Sequence, residues 1–233
     1  AMLRSLKTRI LGDSSGKARK QESSKKKKPV QELKRVLELN QRPFLTYRDL
    51  PKIAKREAPR YQTAEPFPHI VIDNFFDRAI IRKVRREVND MDRAVFHETA
   101  DSHEIKQSTE NDSHLGPLTW KLVQSLNSGA FVAFLEVLTG TKGLIVDPHL
   151  RGGGVHEIRR GGKLGIHADF NYYKRLKLYR RLNLLLYLNR GWDEAWGGHL
   201  ELWDQDKTQC CQRISPLFNR MVIFSTSSVS FHG

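Results

Sequence analysis

From about residue 143 onward, apolar side chains recur at every second position in short runs separated by Gly, Pro, Asn and Asp. That rhythm constrains the fold more than any other feature of the chain. The runs lie at roughly 143–147, 154–159, 163–169, 182–189, 198–203, 211–215, 220–225 and 228–232. Alternation of this period sends successive side chains to opposite faces of a strand, so each run predicts a short strand. Upstream, "HIVIDNFF" (69–76) predicts a strand and "DRAIIRKVRREVNDM" (77–91) a helix capped by Asp77. "TWKLVQSLNSGAFVAFLEVLTG" (119–140) reads as a helix broken near Ser128-Gly129, or as two, closed by Gly140. Helices followed by about eight strands predict a mainly β fold with flanking helices (α+β), the helices buttressing one face of a double-sheet sandwich or jelly roll.

A chain of 233 residues with 39% hydrophobic content has material for one core plus an appendage. The net charge of +14 is unevenly spread. Residues 1–60 hold 18 Lys+Arg against 6 Asp+Glu, leaving 22 against 20 for residues 61–233. The expected organisation is therefore a basic N-terminal extension over 1–60 and a globular domain over 61–233. Within the extension, "DSSGKARKQESSKKKKP" (13–29) has the composition of a flexible tether, and Val30, Leu33, Val36 and Leu37 mark one face of a short helix. "EAPRYQTAEPFPH" (57–69) reads as a Pro-punctuated entry into the domain. The run Lys25 to Lys28 suits weak contact with nucleic acid or another anionic surface, which gives a second reading of the chain: a binding protein acting through residues 1–60, with a non-catalytic sandwich. The two cysteines, Cys210 and Cys211, are adjacent and too few for a structural zinc site, and no apolar run has the length of a membrane span. A reducing, cytoplasmic setting is expected.

His167 and Asp169 lie two apart in a strand-like segment, so both side chains leave one face, the right spacing for two ligands of one metal. By itself the pair is weak evidence, because 9 His and 13 Asp in 233 residues give about 0.5 such pairs by chance. A ferrous site that must also bind a bidentate co-substrate and oxygen can give only three positions to protein, and two imidazoles with one carboxylate supply them. His232, in "SVSFHG", lies 63 residues beyond Asp169 at the end of another strand-like run.

The ordered segments "IHADFN", "RRLNLLLYLN", "WGGHLELWD", "NRMVIFST" and "SFHG" resemble the iron(II)- and 2-oxoglutarate-dependent oxygenases of the prolyl 4-hydroxylase type, over about Phe67 to Gly233. The resemblance implies a double-stranded β-helix, a jelly-roll variant, and hydroxylation of an unactivated C–H bond with release of succinate and carbon dioxide. Its substrate would be a prolyl residue of a protein or a related small molecule, and its cofactors Fe(II), 2-oxoglutarate and O2, with ascorbate as an accessory. It makes His167, Asp169 and His232 the iron ligands and aligns Tyr187 with a tyrosine that donates its hydroxyl to the distal carboxylate of 2-oxoglutarate. Arg181 opens the same motif and is expected either to steady the site or to lie on a solvated strand edge. His156 and His199 compete for metal ligation, with packing or substrate contact as their alternative roles. The family's basic partner of the 2-oxoglutarate side carboxylate falls about ten residues past the distal histidine, beyond Gly233, so a last strand is expected to be missing, with one sheet edge left open and Arg220 as a stand-in.

Overall fold

The computed structural model describes residues 6–8 and 44–233, except 103, 110 and 111. Four helices are present among these residues: α1 (Leu50–Gln62), α2 (Arg78–Asn89), α3 (Pro117–Leu126) and α4 (Gly129–Thr139). Twelve strands accompany them: β1 (Leu6–Thr8), β2 (His69–Asp73), β3 (Phe96–Ala100), β4 (Glu104–Thr109), β5 (Val155–Glu157), β6 (Lys163–Leu164), β7 (Tyr172–Tyr173), β8 (Leu178–Tyr179), β9 (Leu182–Tyr187), β10 (Leu200–Trp203), β11 (Cys210–Ile214) and β12 (Arg220–Ser225). The main sheet runs β2-β12-β9-β1-β5-β4-β3, with β6 on β4.

Strand parity divides the core. Leu182, Leu184 and Leu186 of β9, with Met221 and Ile223 of β12, pack with the helices. Leu185, Tyr187, Val222 and Phe224, one residue out of step, pack with Leu200, Leu202 and Ile214 of the antiparallel pair β10-β11. A central strand covered on both faces must be apolar throughout, which accounts for the unbroken "LNLLLYL". The result is the expected double-stranded β-helix architecture: a large sheet with helices outside it and a smaller sheet inside.

Helix termini fall where capping chemistry puts them. Asp77 accepts from the N–H groups of Ala79 and Ile80, and Ser128 Oγ accepts from Phe131 N–H. Gly140 closes α4 at φ +72°, a conformation that costs glycine little. No single helix is long and apolar enough to cross a membrane; the bent pair α3–α4 has the composition, but Leu122, Leu126, Phe131, Phe134 and Leu138 are buried in the core.

Several expectations change. The segment 57–69 is not simply a Pro-punctuated entry: its first six residues belong to α1, which has Pro51 in its first turn, where a missing N–H is harmless, and Pro59 near its end. The expected boundary at residue 60 falls inside this helix, and Phe44, Leu45, Leu50 and Ala54 already belong to the core. Residues 143–147 form a loop rather than a strand, and only Lys163–Leu164 of 163–169 forms one. β1 lies between β5 and β9 and pairs parallel with both. The tether over 13–29 and the helix proposed around Val30 to Leu37 lie outside the described residues.

Tyr61 of α1 is 1% exposed, its hydroxyl is 2.8 Å from Ser225 Oγ, and burial pushes its pKa up from 10.0 to about 12. A phenol held neutral in the fold but free to ionise when unfolded stabilises fully below pH 10, and that stability is lost as the pH rises from about 10 to 12. The loss should reach roughly 2–3 kcal/mol. Chemical denaturation across this range should show it, and Tyr61→Phe should flatten the curve in part, because burial raises the Tyr187 phenol too.

Candidate metal centre

The site is assembled by one reciprocal backbone pair. His167 N–H donates to the His232 carbonyl and His232 N–H donates to the His167 carbonyl, both at 2.9 Å, forming an isolated antiparallel bridge. Directly opposed residues of such a pair carry their side chains on one face, and the two imidazole centroids lie 4.6 Å apart. His232 also bridges Leu202, so the 231–233 segment lies between the 165–167 segment and β10 and extends the smaller sheet. Two residues past His167, Asp169 returns to the same face. Ligand atoms of His167, Asp169 and His232 all fall within 4.8 Å of one another.

The tautomers fit metal binding. His167 Nδ1 lies 2.8 Å from the Gly165 carbonyl and His232 Nδ1 3.0 Å from the Ser230 carbonyl. A carbonyl can only accept, so each Nδ1 carries the hydrogen and each Nε2 presents a lone pair. These Nε2 atoms lie 3.7 and 3.6 Å from the two oxygens of Asp169. Bonds of about 2.0–2.2 Å would bring neighbouring ligand atoms to roughly 3 Å, a contraction that side-chain torsions can supply. Asp169 and His232 are buried, while the His167 side chain is 34% exposed, which makes the His167 side the open one.

Asp169 is itself held in place. Its Oδ2 accepts from Asn183 Nδ2 at 2.5 Å and pairs with Arg180 Nη2 at 3.0 Å, while Arg180 also donates to Asn183 Oδ1 at 2.5 Å. The Arg180 guanidinium is fully buried over the Phe170 ring, 4.8 Å from its centroid. Sequence reading missed both residues and selected Arg181 instead. Arg181 precedes β9, gives its carbonyl to Thr226 N–H and leaves its side chain exposed, so its placement fits the strand-edge alternative.

A cavity of about 260 Å³ adjoins the triad through Ile166 and Gly233, the sequence neighbours of the two histidines. Tyr187 lines it, buried and with its pKa raised by burial, so its hydroxyl stays a donor; Lys163, His199, Glu201 and Arg213 supply charge and polarity. Arg220 does not line it. Its Nε and Nη2 donate to Asp73 at 2.6 and 2.8 Å and its Nη1 to the Ser215 carbonyl, which rules out the stand-in role. The competing histidines are also placed. His199 faces Glu194 at 2.8 Å beside Trp192, and His156 lies on β5; neither belongs to the triad.

Gly233 is required by close approach: a Cβ there would lie 2.7 Å from Ile166 Cδ1 and 3.0 Å from the Leu164 carbonyl. Gly233→Ala should therefore spread the segments that carry the two histidines, weakening cobalt(II) binding in a spectroscopic titration without loss of helical signal in circular dichroism.

Residues 153–233 match the family model of the 2OG-Fe(II) oxygenase superfamily. A prolyl 3-hydroxylase of Mus musculus, OGFOD1, is 26% identical over 180 residues, covering 72% of this chain and 29% of that protein. The chain thus spans under a third of the length of that curated relative. Among solved structures, a prolyl hydroxylase from Trichoplax adhaerens, in complex with a hypoxia inducible factor oxygen degradation domain peptide fragment, superposes with a TM-score of 0.56 at 15% identity, over 83% of this chain and 87% of that one. A Pseudomonas putida prolyl-4-hydroxylase gives 0.53 at 17% identity, over 77% and 90%. At such identities the two structures speak for the fold, and the family match covers the segment that holds all three ligand side chains. Residues 153–233, which carry all three ligand side chains, are thus similar to the 2OG-Fe(II) oxygenase superfamily.

Proposed function

We propose that the protein hydroxylates prolyl residues of a protein substrate in a reaction dependent on Fe(II) and 2-oxoglutarate. The observation that carries this reading is the pair of histidines with both Nε2 atoms turned toward a buried carboxylate, next to a cavity that has a buried tyrosine and a basic wall. His167, Asp169 and His232 would hold the iron, leaving three of six positions for co-substrate and oxygen. Iron, 2-oxoglutarate and O2 together supply the oxidising power: one oxygen atom enters the substrate C–H bond and the other enters succinate, with loss of carbon dioxide.

The chain's own residues supply orientation and charge. Tyr187, kept neutral by burial, donates its hydroxyl to a carboxylate in the cavity, and Arg213 with Lys163 provides positive charge at the cavity wall. The packed faces of β9 and β12 keep water from the inner side of the site, and the partly exposed His167 side admits substrate. A scaffold without catalysis is disfavoured, since a buried carboxylate beside two pre-oriented imidazoles is costly to keep for structure alone. Ascorbate and a cytoplasmic setting remain part of this reading.

The test incubates proline-containing peptides with the protein, ferrous iron and 2-oxoglutarate, and follows succinate together with product mass. Gain of one oxygen on the proline ring, in step with succinate, is the expected result. Succinate without any oxidised peptide, across a broad peptide panel, would rule out the prolyl assignment.

A further inference from the structure

The hairpin β7–β8 grows directly out of the metal site. Its first strand begins immediately after Asn171, whose carbonyl accepts from Arg180 N–H at 2.8 Å, and Arg180 in turn pairs with Asp169 at 3.0 Å. Both ends of the hairpin are thus fixed at the carboxylate ligand. Its tip is cationic: Lys174, Arg175 and Lys177 are all exposed and form no ion pair among the described residues. No acidic residue occurs between Asp169 and Asp193 to neutralise them. On its strands Tyr172 is 44% and Tyr179 66% exposed, with ring centroids 5.1 Å apart.

Beside a reaction centre, exposed aromatic rings cost solubility and clustered cations repel one another unless a partner covers them. Resting on the prolyl hydroxylase reading, we infer that this hairpin is the specificity surface for the substrate, and that it selects extended peptides carrying carboxylates about four residues from the target proline. The spacing follows from reach. At roughly 3.3 Å per residue, the four steps from Asn171 to Arg175, the last two in the turn at 174–177, reach at most about 13 Å, and an extended peptide covers that distance in the same number of residues. The two tyrosines offer an apolar wall between. A nucleic-acid strand fits less well, because it uses separate aromatic platforms for successive bases, whereas these two rings pack on each other and Tyr173 is buried.

Three peptides test the inference, each with a central proline: one with a Glu pair four and five residues before it, one with the pair after it, and one with Gln at all those positions. One acidic peptide should show a KM roughly 3- to 10-fold below that of the Gln peptide, with little change in kcat, and the advantage should shrink at high salt. Charge reversal by Lys174→Glu/Arg175→Glu should invert the preference. The same peptides, fluorescently labelled, are titrated by anisotropy against the manganese-loaded protein, so the surface is judged even where no turnover occurs. If none of the three peptides is hydroxylated while an acidic one still binds better, the prolyl reading fails and the surface stands. Equal KM and equal binding for all three peptides would overturn the inference. So would binding of a labelled single-stranded RNA that depends on Lys174 and Arg175 while the peptides are not distinguished.

Discussion

Asp169→Ala and His167→Ala should both abolish metal binding, yet differ sharply in stability. Each removes one of three ligands, so cobalt(II) titration should show no specific site in either variant, and succinate formation should fall to background. The burial of the two residues separates them. Asp169 neutralises Arg180, whose side chain has no exposure at all, and its removal leaves the buried guanidinium without its Asp169 counter-charge, while the contact with Asn183 Oδ1 persists. Stranding one partner of a buried ion pair costs about 3–5 kcal/mol. His167 is one-third exposed and its Nδ1 contact to Gly165 is local, so His167→Ala should cost under about 1 kcal/mol. Urea denaturation of the two variants measures the difference; equal losses would mean that Arg180 is not held by Asp169.

The second large effect concerns Asn183 and Arg180. Asn183→Leu keeps the Arg180–Asp169 contact but removes the amide that donates to Asp169 Oδ2, leaving the carboxylate freer to rotate. Loss of such a supporting hydrogen bond is expected to weaken metal binding by about 10- to 100-fold. The stability cost should be about 1–3 kcal/mol, since a buried oxygen loses a partner. Arg180→Leu takes from the buried Asp169 carboxylate its Arg180 partner in the metal-free protein and should destabilise more, about 3–5 kcal/mol. A bound divalent cation restores the missing positive charge, so saturating cobalt(II) should rescue the thermal stability of Arg180→Leu more than that of the unaltered protein. Thermal melts with and without cobalt(II) read this out, and equal shifts in the two proteins would contradict it.

How far such a site can be read from sequence depends on whether its chemistry is local. His167 and Asp169 stood out because the two-residue period places them on one face, and His232 because its motif follows in order. The strand limits of β12 and the caps of α2 and α4 were legible for the same reason: Asp77, Ser128 and Gly140 act within a turn of their own positions. Elsewhere tertiary contacts decided. The prolines of 57–69 made that stretch look like a mere entry segment, although Pro59 lies near the end of α1, whose buried face rests on only Leu50, Ala54 and Tyr61. β3 and β4 carry polar sequences, "FHETA" and "EIKQST", whose strand character comes from pairing at the margin of the sheet. Arg180 reads as a solvated residue in "YRRLN"; only the return of the β7–β8 hairpin brings it 3.0 Å from Asp169. The run "HADFN" likewise shows no sign of the reciprocal bridge that replaces a full strand at His167.

The central claim is that His167, Asp169 and His232 hold ferrous iron in a site that also takes up 2-oxoglutarate. Anaerobic addition of 2-oxoglutarate to the iron(II)-loaded protein tests it most directly, through the weak visible metal-to-ligand charge-transfer band of a chelated 2-oxo acid. The band should develop in the unaltered protein, saturate with one co-substrate per iron, and be absent in Asp169→Ala. Iron bound without any band on adding 2-oxoglutarate, or a band of equal strength in Asp169→Ala, would contradict it.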